Sequence, residues 1–142
     1  MSENALLVFL AEDDKDDQDF FLEAIRKLNI IVDLQVAENG ELAIQKLVNH
    51  TMTPDYIFLD INMPVYNGLE CLSIIKQNET IREIPTFIYT TYCSKKHQED
   101  ALKLGARSVI LKPYTIRDLS NILREVFTTS GSNPESGKAA KQ

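Results

Sequence analysis

Five short apolar runs, Leu6 to Ala11, Val32 to Val36, Tyr56 to Leu59, Thr86 to Tyr89 and Val109 to Leu111, alternate along this chain with longer segments of helical periodicity. Runs this short suit strands, whereas apolar residues recurring every three or four positions mark amphipathic helices. The helical faces are Phe20, Phe21, Ala24, Ile25 and Leu28, then Ala43, Ile44, Leu47 and Val48, then Leu69, Leu72, Ile74 and Ile75. A weaker face follows at Ala101, Leu102 and Leu104, and a clear one at Leu119, Ile122, Leu123 and Val126. Strand and helix repeated five times over predict an α/β fold, a parallel sheet joined by helical crossovers. Most of the runs are continuously apolar, as strands covered on both faces must be.

With 142 residues and 44% hydrophobic content, the chain suits one packed domain. A net charge of -6 opposes non-specific attraction to phosphate backbones, so no nucleic-acid partner is expected. No apolar run approaches the roughly 18 residues of a membrane span, and the acidic N-terminus MSENALLVFLAEDD has no signal-peptide character. A cytoplasmic protein without membrane contact follows as the expectation. Cys71 and Cys93 form no CxxC pair, and His50 and His97 stand alone, which predicts reduced thiols and no zinc site. After Phe127 the sequence TTSGSNPESGKAAKQ has no large apolar residue and cannot offset its ordering entropy by burial. Residues 1–127 are therefore the expected domain and residues 128–142 a disordered tail. With no effector after it, the chain is expected to act as a stand-alone unit.

Chemistry gathers where the apolar runs end. Glu12 and Asp13 follow the first, Asp60 the third, Thr90 the fourth and Lys112 the fifth. In a parallel sheet those carboxyl ends share one edge, where ligands bind. A carboxylate held at a strand end can attack phosphorus to form an acyl phosphate, which singles out Asp60. Glu12 and Asp13, with Asp14 beside them, bring like charges together and call for a cation; Mg²⁺ suits one or two carboxylates plus waters and phosphate oxygens. A calcium loop is excluded, because the sixth position counted from Asp14 is Asp19 and not glycine. Asp16, Asp17 and Asp19 are expected only to favour the positive end of the helix that follows. Lys112 could neutralise charge on a transferred phosphoryl group and Thr90 could donate a hydrogen bond to it.

Glu12-Asp13, Asp60-Ile61-Asn62-Met63-Pro64, Gly68, Thr90 and Lys112-Pro113 together resemble the receiver domain of two-component response regulators, the flavodoxin-like group that includes CheY. The likeness spans Leu6 to Phe127. It implies a (βα)5 doubly wound sheet of strand order 2-1-3-4-5. It also implies that Asp60 accepts a phosphoryl group from the phosphohistidine of a sensor histidine kinase. Glu12, Asp13, Asp60 and the main-chain carbonyl of Asn62 would hold Mg²⁺, Lys112 would contact the phosphoryl oxygen, and Thr90 would swing in to hydrogen-bond it. The only catalysis implied is of its own phosphorylation and dephosphorylation. A Lys112-Pro113 cis peptide is expected on the same ground. The responding surface is expected over Lys95 to Phe127, acting on a target protein or passing the phosphoryl group to a histidine phosphotransfer domain.

The chain departs from the family pattern at Val109, where an aromatic switch residue is common, at Thr91, and at Asn67, where Asp often precedes the loop glycine. In the family, the positions of Asn62 and Tyr92 influence dephosphorylation. Two competing readings are set against this one. A phosphohydrolase of the haloacid dehalogenase type would want a second Asp two residues after Asp60 as general acid, where this chain has Asn62. A plain interaction module would keep the site without using it.

Overall fold

The computed structural model describes residues 5–49 and 52–129. In chain order the elements are β1 (Leu6–Ala11), α1 (Lys15–Arg26), β2 (Val32–Ala37), α2 (Gly40–Val48), β3 (Tyr56–Leu59), α3 (Gly68–Gln77), β4 (Thr86–Thr90), α4 (Lys95–Leu104), β5 (Ser108–Leu111) and α5 (Ile116–Thr129). All strand pairs are parallel and the order is β2-β1-β3-β4-β5, as the resemblance implies. α5 runs two residues past Phe127; His50 and residues 130–142, most of the expected tail, lie outside the described residues.

The two-residue period of the strands divides the core in two. Val8, Leu10, Tyr56, Phe58, Phe87 and Tyr89 point to one face, where Phe21, Ala24 and Ile25 of α1 and Leu119 and Leu123 of α5 cover them. Phe9, Ala11, Ile57, Leu59 and Ile88 point to the other, under Ala43 and Leu47 of α2, Cys71, Leu72 and Ile75 of α3, and Ala101 of α4. On the first face Phe21 meets Phe58 and Tyr89 edge-on at 5.2 and 5.3 Å, an arrangement aromatic quadrupoles favour. The buried Ser120 hydroxyl donates to the Ala24 carbonyl at 2.7 Å and ties α5 to α1.

Short polar residues start the helices. Asp14, Asn39, Asn67 and Ser94 cap α1 to α4 by accepting main-chain N–H groups that the first turn leaves unpaired, and Asn67 with Glu70 forms a capping box. Thr115 accepts from the Asp118 N–H in the same way at α5. α4 buries only Ala101, the counterpart of its weak apolar pattern, and stops at Gly105, whose φ of 111° suits a residue without a Cβ.

Candidate functional site

β1, β3 and β5 each continue extended for one residue beyond their last paired position. The Glu12 N–H donates to Ala37 at 2.9 Å, the Asp60 N–H to Ala11 at 3.1 Å and the Lys112 N–H to Thr90 at 2.9 Å. The strand period therefore carries Glu12 after Leu10, Asp60 after Phe58 and Lys112 after Ile110 to the α1 and α5 face. There the three side chains meet. Lys112 Nζ lies 2.7 Å from Glu12 Oε1 and 3.1 Å from Asp60 Oδ2. A third carboxylate completes the ring, with Asp17 Oδ2 of α1 at 2.8 Å.

Burial and charge act against each other here. Burial alone would favour a neutral amine on Lys112, but its contacts with Asp17 and Glu12 and the charge of Asp60 outweigh that and hold its pKa above the ordinary range. Burial is the main influence on Glu12, pushing its carboxyl from 4.5 to about 7; the Lys112 ammonium beside it opposes the rise and the Asp60 charge adds to it. Beneath the ammonium lies the Tyr89 ring, its centroid 5.5 Å from Nζ, close enough for a cation–π contact.

Glu12, Asp13 and Asp60 bring one oxygen each within 4.8 Å of one another, and hard oxygen donors in that number suit Mg²⁺. Glu12 Oε1 pairs with the ammonium by charge, yet the contact lacks hydrogen-bond angles and leaves this buried oxygen without a hydrogen-bond partner. The residues present thus fit a divalent cation. The Asn62 N–H donates to Asp60 Oδ1 at 3.3 Å, which sets the start of the β3–α3 loop against the same carboxylate.

That loop is tightly fitted. A Cβ on Gly68 would run into the Asp60 carbonyl, so glycine alone lets α3 begin against the end of β3. Val65, in the same loop, holds a φ of 67°, an unfavourable conformation for a β-branched residue.

Thr90 behaves differently. It follows Ile88 toward the α2, α3 and α4 face, and its buried hydroxyl donates to the Tyr92 carbonyl at 3.5 Å. Two expectations are corrected. No cis peptide occurs among the described residues, so Lys112-Pro113 is trans. Asp17 is more than a charge at a helix start, because it pairs directly with Lys112. A signal for this lay in the sequence: Asp17 stands four residues before Phe21, on the apolar stripe of α1, and a carboxylate on a buried face needs a partner.

An acid cluster, a strand-end aspartate and a lysine on the carboxyl edge of a 2-1-3-4-5 parallel sheet define a receiver of the two-component type. A sequence model described as the response regulator receiver domain matches residues 8–124, and the chain belongs to that family. It is a signalling domain of two-component systems. The chemotaxis protein CheY1 of Helicobacter pylori is 34% identical over 98 residues, 69% of this chain and 78% of that protein. The probable methanogenesis regulatory protein FilR2 of Methanothrix harundinacea is 26% identical over 129 residues, 88% of this chain and 83% of that protein. Among solved structures, the Mn²⁺-bound form of response regulator Rcp1 superposes with a TM-score of 0.78 at 25% identity, covering 87% of this chain and 93% of that one. Rcp1 is a protein of Synechocystis.

Proposed function

We propose that Asp60 is the phosphoryl acceptor of a response regulator, and that a sensor histidine kinase is the donor. An Asp60 carboxylate oxygen attacks the phosphorus of the kinase phosphohistidine, the new O–P bond forms as the P–N bond breaks, and the imidazole leaves. Glu12, Asp13, Asp60 and the Asn62 carbonyl would hold Mg²⁺, which when bound neutralises charge on the phosphoryl oxygens. Lys112 supplies a fixed ammonium to those same oxygens as charge builds on them. The Thr90 hydroxyl exchanges the long bond to Tyr92 for one to the phosphoryl group, which draws in the segment between β4 and α4.

That movement would alter the face formed by α4, β5 and α5. Leu102, Leu111 and the 98%-exposed Tyr114 lie along it, apolar side chains that a protein partner could cover. A target protein or a histidine phosphotransfer domain is the proposed reader. Action as a stand-alone receiver is part of this proposal. No helix among the described residues is long and apolar enough to cross a membrane, and a cytoplasmic location is proposed with this function.

The observation that carries the reading is the 3.1 Å contact between Lys112 Nζ and Asp60 Oδ2 beside the acid cluster. The test is incubation with acetyl phosphate and Mg²⁺ followed by intact-mass measurement. Wild type should gain one phosphoryl group and Asp60→Asn none. A wild-type mass that never changes would favour a plain interaction module.

A further inference from the structure

Two positive groups have claims on the same oxygens. Lys112 Nζ contacts Glu12 Oε1 and Asp60 Oδ2, and both residues belong to the carboxylate cluster that fits a divalent cation. A cation seated there repels the ammonium and competes for its partners. Lys112 must yield ground within the pocket, since the proposed transfer needs it beside the phosphoryl oxygens. Asp17 is the one ion-pair partner of Lys112, among the described residues, that lies outside the cluster.

We propose that Asp17 is a holding site for the Lys112 ammonium, which lets the lysine and a divalent cation share the pocket. Its carboxylate already accepts from Nζ at 2.8 Å, so the ammonium reaches it with little movement. Asp17 is a third exposed at its side chain, so its carboxylate keeps more contact with solvent than the buried pair. The start of α1 is fixed by the Asp14 cap and by Gln18, whose side chain donates to the Glu12 carbonyl at 2.7 Å. The Tyr89 ring beneath the ammonium gives a second attractive contact that no metal ligand has to share. Asp17 is thus a positioning residue, acting through Lys112, and the inference rests on the cation reading proposed above.

Calorimetric titration of Mg²⁺ into the full chain, without phosphodonor, tests it. Asp17→Asn keeps shape and removes charge, and it should raise the Mg²⁺ Kd about tenfold, equivalent to about 1.4 kcal/mol. Asp17→Glu should recover to within about threefold of wild type, because a carboxylate returns to the lysine. Asp16→Asn removes an equal charge from the neighbouring exposed residue and should shift Kd by less than about threefold. In a Lys112→Met background, Asp17→Asn should likewise change Kd by less than about threefold, since there is no ammonium left to hold. Equal weakening by Asp16→Asn and Asp17→Asn would mean bulk charge alone and overturn the proposal, as would an unchanged Asp17→Asn. A wild type that binds no Mg²⁺ would overturn the cation reading itself, and this inference with it.

Discussion

Lys112 and Asp60 stand 52 positions apart in the chain and 3.1 Å apart in space, joined across the carboxyl edge of the sheet. Both side chains are more than nine-tenths buried, and Glu12 at 2.7 Å from the same ammonium is buried more completely still. The lysine therefore has a structural part: its ammonium compensates the charge of carboxylates taken out of water.

Lys112→Met should accordingly destabilise the metal-free protein. Removing one partner of a buried ion pair costs roughly 3–5 kcal/mol, and proton uptake by Glu12 should keep the loss near the lower end. Urea denaturation measures it, and added Mg²⁺ should restore a large part of the difference in the variant. Equal stability of the two proteins without metal would show that the ion pairs contribute nothing net.

Glu12 makes the site pH-sensitive. Its folded pKa of about 7 lies above the ordinary 4.5, so between those values the folded, metal-free protein holds the extra proton. The stabilisation from this group is complete below pH 4.5 and is lost as pH rises through about 7. Mg²⁺ needs the ionised form, so its affinity should fall as pH drops below about 7, approaching tenfold per unit. Glu12→Gln should flatten both dependences. Mg²⁺ titrations from pH 5.5 to 8 on the two proteins would reveal it.

Val65 pays for a backbone conformation that glycine and asparagine adopt easily. Val65→Gly or Val65→Asn should raise stability by about 1 kcal/mol, with most of the gain from relieved strain. Thermal unfolding of the pair against wild type decides it, and a loss in both would mean that the valine side chain makes a compensating contact.

Gly68→Ala should do the opposite. The new methyl meets the Asp60 carbonyl and the Ile61 backbone, neither of which can move without shifting the β3–α3 loop. A loss of about 2 kcal/mol or more is expected, together with slower phosphorylation by acetyl phosphate. A variant with normal stability and rate would show that the loop has slack.

Much of this was written in the pattern of apolar runs. The five strands start and stop within a residue of the expected positions because Glu12, Asp60 and Pro113 interrupt apolar runs sharply. Glu12, Asp60 and Lys112 were legible as neighbours for the same reason. Asp17 was hidden in a run of acids whose helix-start role accounts equally well for all of them, until its register with Phe21 is taken into account. The left-handed Val65 could not be foreseen, since it arises from how the β3–α3 loop must close and not from a preference of valine. The trans Lys112-Pro113 bond was expected to be cis, and the small free-energy difference between X-Pro isomers leaves that choice to tertiary context.

Thr90 and Lys112 leave adjacent strands toward opposite sides of the sheet, one above the core under α2, α3 and α4, the other above the core under α1 and α5. A charge gained at Asp60 would then be registered in both hydrophobic compartments at once, by a hydroxyl in one and an ammonium in the other. On the proposed function, substitutions in either compartment would retune the response separately, giving this small domain two dials for a single chemical event.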